Sequence, residues 1–139
     1  PDIGPIDHPN LVDKLFSDEM PGLLQNADLV ISRAGASAIS ELAICGTPAI
    51  LVPYPHAKDN HQKINAICLA SIGAAIVVDQ HDPQETKLKD TLLSLIGDSV
   101  VNNVEISSNY LLNKMRSSML KIAVRDADQK LVDVIKKSI

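Results

Sequence analysis

Two hydrophobic patterns alternate along the chain. Unbroken apolar runs lie at Asp28 to Ser32 (DLVIS), Ala49 to Pro53 (AILVP) and Ala74 to Asp79 (AAIVVD), each bounded by Gly, Pro or polar residues. Such runs predict strands buried on both faces, as in a parallel sheet. A further short strand is predicted over Leu11 to Phe16. Ser17 then stands as N-cap for DEMPGLLQNA, with Asp18 and Glu19 in the first turn, where the helix dipole favours acids. Pro21 is early enough in that helix to be tolerated. The next helix spans about Ser37 to Cys45 and closes on Gly46. Another runs from Asn60 to about Ser71, with Ile64, Ile67, Cys68 and Ser71 as its stripe and Gly73 at its end. Pro83 opens a helix striped by Leu88, Leu92, Leu95 and Ile96. The tail predicts two more, one through Leu111, Leu112, Met115, Met119 and Ile122, one through Leu131, Val134 and Ile135.

Strands alternating with helices imply βαβ units, so the fold class is α/β: a partial Rossmann-like parallel sheet with flanking helices. No internal repeat or low-complexity linker interrupts it. Ligands of open α/β sheets bind beyond the carboxyl ends of the strands. Two loops leave such ends, Arg33 to Ser37 and Tyr54 to Gln62.

Composition narrows the function. The 139 residues make one domain and carry a formal net charge of −4, with one Phe, two Tyr and no Trp. Neither a basic footprint nor a stacking platform is present, so nucleic acid is set aside. Cys45 and Cys68 form no C-x-x-C and read as reduced thiols of a cytoplasmic protein. No apolar run approaches the roughly 20 residues of a membrane span, and no signal peptide is visible. The opening PDIGPIDHPN reads as a loop cut from a longer protein.

The first loop resembles several motifs and completes none. Gly35-Ala36-Ser37-Ala38-Ile39 lacks the last glycine of a G-x-S-x-G nucleophile elbow. The lysine of a P-loop and the three glycines of a dinucleotide fingerprint are also missing. What remains is a strand ending in small residues ahead of a helix whose free N–H groups point outward, which suits a phosphate or diphosphate. Ser37 or Ser40 can cap that helix or donate a hydroxyl. Glu41, one turn in, would repel phosphate and is better matched to the vicinal hydroxyls of a ribose. The plainer alternative stays open: Ser37 caps, and Glu41 is simply favoured near a helix N-terminus.

In the second loop His56, Asp59 and His61 suggest a metal site, but five residues place the two histidines roughly 140° apart on a helix. Base chemistry by either histidine lacks a partner. Asn60 and Gln62 are neutral donor–acceptors suited to sugar hydroxyls or an amide. A solvated loop with an N-cap explains Asp59, Asn60 and His61 equally well.

Taken together, SRAGA…SE, GTPAILVP, H…DNHQ…N and GAAIVV resemble the donor-binding domain of glycosyltransferase family 28, the peptidoglycan N-acetylglucosaminyltransferases of GT-B fold. The match runs from Phe16 to about Val78, and RDADQKLVDVIKKSI fits the family's C-terminus more weakly. The resemblance implies transfer of GlcNAc from UDP-GlcNAc to undecaprenyl-diphosphoryl-muramoyl-pentapeptide, with inversion, at the cytoplasmic face of the bacterial inner membrane. It implies no cofactor and no metal in the donor site. It divides the chain into a loop (1–10), core donor-binding motifs (11–80) and C-terminal helices (81–139). Carried over, Arg33 and Gly35 join Ala36, Ser37, Ala38, Ile39 and Ser40 around diphosphate and ribose. Glu41 binds the ribose, and Gln62, with His61 beside it, binds the GlcNAc hydroxyls. Phe16 and Ser17 match a turn whose backbone reads uracil, although Ser17 and Glu19 depart from the family's residues. The acceptor domain, its membrane contact and the catalytic base have no counterpart in these residues. Two readings follow: the UDP-GlcNAc-binding part of a transferase, inactive in isolation, or a detached remnant that binds UDP-sugars or a partner.

Overall fold

A three-stranded parallel sheet positions everything else. The structure is a computed structural model that describes residues 9–12, 14, 17–81, 87–97, 99–101, 104–106 and 108–123. Its strands β1 (Val30–Ser32), β2 (Ala49–Leu51) and β3 (Ala75–Val77) lie in the order β1-β2-β3. In register, Ile31 stands opposite Ile50, and Ile50 opposite Ile76. Helices α1 (Met20–Asn26), α2 (Ala36–Cys45), α3 (His61–Ser71), α4 (Lys87–Ile96) and α5 (Ser108–Lys121) surround it. A hairpin, β4 (Ser99–Val101) with β5 (Val104–Ile106), joins α4 to α5.

Side chains alternate across a strand, and β2 divides the core accordingly. Ala49 and Leu51 enter one cluster with Leu42 and Ala43 of α2, Ala66 and Leu69 of α3, and Met119 of α5. Ile50 enters the other with Leu95 of α4 and Met115 of α5. The continuous apolar run therefore has a cause: all three β2 residues are completely buried. Both crossover helices end on a left-handed glycine. Gly46 (φ 67°) donates to Ala43 and Thr47 to Leu42; Gly73 (φ 72°) donates to Ala70 and Ala74 to Leu69. These paired bonds satisfy the last carbonyls and turn the chain directly into the next strand.

Four expectations change. Among the described residues of the expected first strand, Leu11, Val12 and Lys14 are exposed and have no regular structure. Ser17 does not cap α1: the N-cap is Glu19, whose N–H donates to Ser17 Oγ at 3.2 Å. Starting at Met20 keeps Pro21 within the first turn, where its missing N–H has no helical acceptor to lose. On α3 the buried face is Ala66 and Leu69, whereas Ile64 and Ile67 are 57% and 52% exposed and Cys68 and Ser71 face outward. On α4, Ile96 is exposed while Leu88, Leu92 and Leu95 pack inward. Pro83 and the last expected helix, with Leu131, Val134 and Ile135, lie outside the described residues.

Candidate functional site

The carboxyl ends of β1 and β2 open onto one face, where both sequence-predicted loops meet. From β1 the chain passes through Arg33 and buried Ala34 to Gly35, the N-cap of α2. Gly35 has extended backbone (φ −68°, ψ 151°), and no side chain caps the helix. Ile39 N–H donates to Gly35 C=O at 3.0 Å, the first bond of the helical ladder, so the N–H groups of Ala36, Ser37 and Ala38 precede it without a helical acceptor. A Cβ built on Gly35 meets nothing within 4 Å, so there is room in front of this turn.

The side chains here divide by task. Ser37 is exposed and takes no part in capping. Ser40 Oγ donates to Ala36 C=O at 2.9 Å, inside its own helix. Ile39 packs on the core, so it offers the face only backbone. Glu41 is exposed and lines a cleft of about 310 Å³ with Met20, Leu24, Val30, Ile31, Ser32, Ala38 and Leu42. The cleft runs between α1, α2 and the outer edge of β1. Ser17, just ahead of α1, is half-buried; Phe16 lies outside the described residues.

Arg33 ties the strand exits together. Its Nη1 donates to Gln80 Oε1 at 2.7 Å and to the carbonyls of Val52 (3.1 Å) and Pro53 (3.4 Å). The guanidinium carbon stands 5.8 Å from the centroid of the Tyr54 ring, within cation–π range. Asn65 Nδ2 of α3 donates to Ala34 C=O at 3.2 Å, which fixes the first loop to α3.

The second loop brings Gln62 back onto this frame: Tyr54 N–H donates to Gln62 Oε1 at 2.9 Å. His61 beside it is exposed, and its ring Nδ1 bonds the Lys58 carbonyl. His56 instead stands edge-on to the rings of Tyr54 and His81, at 5.7 and 6.3 Å between centroids. Among the described residues no three His, Cys, Asp or Glu side chains gather as metal ligands. A second cavity, of about 220 Å³, lies over the exits of β2 and β3, between Tyr54, Asn60, Lys63, Asp79 and His81. The backbone N–H of His81 holds the Asp79 carboxyl below its ordinary pKa, with Lys63, 3.5 Å away, acting in the same direction and burial opposing them.

The structure thus brings Arg33, the N-terminus of α2 and Gln62 together, sets Glu41 in the cleft beside β1, and turns Ile39 to the core. Sequence reasoning passed over Gln80, Tyr54 and Asn65. Gln80 is 47 positions from Arg33 and leaves no local signal. Asn65 left one: it is the polar neighbour of buried Ala66 on the inner side of α3.

A profile described as the glycosyltransferase family 28 C-terminal domain matches residues 7–123. The chain belongs to glycosyltransferase family 28. Among its relatives, a UDP-N-acetylglucosamine--N-acetylmuramyl-(pentapeptide) pyrophosphoryl-undecaprenol N-acetylglucosamine transferase of Prochlorococcus marinus (strain MIT 9303) is 54% identical over 136 residues. That alignment covers 98% of this chain and 37% of the relative. The transferase of the same name from Parasynechococcus marenigrum (strain WH8102) is 52% identical over 134 residues, 96% of this chain and 37% of that protein. The crystal structure of Acinetobacter baumannii MurG superposes with a TM-score of 0.73 at 34% identity, covering 88% of this chain and 33% of that one. The chain therefore spans little more than a third of the relatives it matches. The family 28 domain and the Rossmann-like α/β fold agree with the sequence expectation. Among the described residues no helix is long and apolar enough to cross a membrane.

Proposed function

We propose that these residues form the UDP-GlcNAc-binding part of an inverting N-acetylglucosaminyltransferase that acts on a lipid-linked muramoyl-pentapeptide acceptor. The observation that carries this reading is the uncapped N-terminus of α2, flanked by Glu41 on the β1 side and Gln62 on the β2 side. A diphosphate accepts from the N–H groups of Ala36, Ser37 and Ala38 and is favoured by the positive end of the helix dipole. Glu41, an acceptor only, takes both hydroxyls of the ribose in the cleft beside β1. Uracil then lies toward α1 and Ser17, and GlcNAc toward Gln62. Arg33 braces the exits from which these loops leave. No metal enters this scheme, because backbone donors and the helix dipole already oppose the phosphate charge.

The chain's own contribution to transfer is to hold the donor and orient the sugar. The acceptor, the catalytic base and the contact with the inner membrane's cytoplasmic face belong to the rest of the enzyme. Donor and acceptor must meet in a cleft to react, so the 139 residues alone are inactive; turnover of the lipid acceptor by this chain would refute that. The roles are tested by calorimetric titration with UDP and UDP-GlcNAc. Glu41→Ala weakens both ligands, whereas Gln62→Ala weakens UDP-GlcNAc and leaves UDP unchanged. Equal affinities in wild type and both variants would refute the assignment.

A further inference from the structure

Asp59 and Asn60 both hold left-handed backbone, at φ 55°, ψ 23° and φ 54°, ψ 22°. Among the described residues they are the non-glycine positions with positive φ. That conformation crowds Cβ against the following carbonyl oxygen, and Asn and Asp tolerate it better than other side chains. Neither side chain is in use as a cap: Asn60 is the N-cap of α3 but makes no side-chain capping bond. Backbone bonds close the turn instead, from Ala57 N–H to Tyr54 C=O at 3.3 Å and from Asn60 N–H to Ala57 C=O at 3.1 Å. The His61 ring clasps it from outside, its Nδ1–H donating to Lys58 C=O across the two left-handed residues. Gln62 follows at once and reaches back to Tyr54.

The Tyr54–Gln62 bond has a definite polarity. A backbone N–H only donates, so the end of the Gln62 amide at Tyr54 is its oxygen. The Nε2 end, with two N–H donors, is the end left for a ligand.

We propose that Asp59 and Asn60 are positioning residues that act through their backbone. Their left-handed pair starts α3 at the angle where Gln62 locks onto Tyr54 N–H and presents its amide donors to the sugar hydroxyls of the donor. This rests on the donor-site reading above. The Asp-Asn of the DNHQ motif then answers a conformational demand, and neither side chain contacts the ligand.

Glycine and alanine separate the two roles, because both delete the side chain but only glycine adopts φ > 0 without strain. Asp59→Gly, Asp59→Ala, Asn60→Gly and Asn60→Ala are compared with wild type and Gln62→Ala in the full 139-residue chain. Hydrogen exchange of the Tyr54 amide, read by NMR without ligand, reports the lock. The ratio of UDP-GlcNAc to UDP affinity reports its use. The glycine variants keep both readouts within about twofold of wild type. The alanine variants speed Tyr54 exchange by about fivefold or more and lower the ratio to that of Gln62→Ala, with UDP affinity unchanged. Adding Gln62→Ala to Asn60→Ala lowers the ratio no further. A glycine variant as impaired as its alanine counterpart would overturn the proposal, as would Tyr54 exchange indifferent to all four. Failure of the wild type to bind UDP would overturn the donor site and the presentation of Gln62 to a sugar, while Tyr54 exchange still judges the lock.

Discussion

Replacing Thr47 by Val should loosen the wall of the Glu41 cleft from a distance. Thr47 is completely buried, and its hydroxyl donates to Leu24 C=O at 2.6 Å. Leu24 belongs to α1, which buries no residue fully and lines the Glu41 cleft through Met20 and Leu24. Besides Leu24 packing, α1 is held by Arg116 Nη2 to Ala27 C=O at 3.0 Å and a long Cys45 Sγ contact to Pro21 C=O at 3.7 Å. Valine keeps the shape of threonine and removes the donor, so the change isolates one hydrogen bond. The Leu24 carbonyl then keeps only its 3.3 Å bond from Ala27 N–H, and a buried acceptor short of a partner costs about 1–3 kcal/mol. Because α1 lies at the surface, the Leu24 carbonyl regains water when the helix lifts, which places the cost near the lower end, about 1–2 kcal/mol. At a urea m-value of about 2 kcal/mol/M that lowers the midpoint by roughly 0.5–1 M. Ala27 N–H, bonded to Leu23 and Leu24 carbonyls, should exchange about 5- to 30-fold faster, while amides of β2 change no more than global stability does. An unchanged midpoint with unchanged Ala27 exchange would refute the claim that Thr47 holds α1.

Two further outcomes follow from the packing. Gly46→Ala should destabilise by about 1–2 kcal/mol in chemical denaturation, because φ is positive and the new Cβ would meet Leu120 Cδ2 at 2.6 Å; Leu120→Ala in the same chain should recover only the steric part. In β1, Val30 donates to Pro48 and Ser32 accepts from Val52, so the Ile31 amide and carbonyl face the edge that no other described strand pairs with, beside a side chain 48% exposed. Such an edge pairs with other chains, so the isolated chain should self-associate at micromolar concentrations and Ile31→Lys should shift it toward monomer in sedimentation; identical distributions would contradict this.

How much of this was legible depended on whether the pattern was local. β2 declared itself because it is buried on both faces; β1 was expected to be buried likewise, but as the outer described strand it leaves Ile31 48% exposed. Gly46 and Gly73 marked helix ends because positive φ is a single-residue requirement. The α3 face was misread because small Ala66 joins Leu69 on the buried side, while the larger Ile64 and Ile67 remain outside. The β4–β5 hairpin was missed although Asn102-Asn103 separates two valine-containing segments, a turn signal three-residue strands make easy to overlook. At the site, the small residues before α2 pointed to a helix N-terminus that the structure leaves uncapped, and Glu41 lines the cleft beside β1. The Arg33–Gln80 brace left no local trace, its residues being 47 positions apart, and the sequence could not name Ala34, 31 positions away, as the partner of Asn65.

The central claim is that a UDP-sugar sits on the bare N-terminus of α2, and titration of the 15N-labelled chain with UDP-GlcNAc tests it most directly. Saturable shifts should concentrate on the amides of Gly35, Ala36, Ser37 and Ala38, with a second group at Tyr54 and the Gln62 side chain. UDP should reproduce the first group alone. Shifts that fail to saturate, or that fall elsewhere and leave these amides unmoved, would contradict the account.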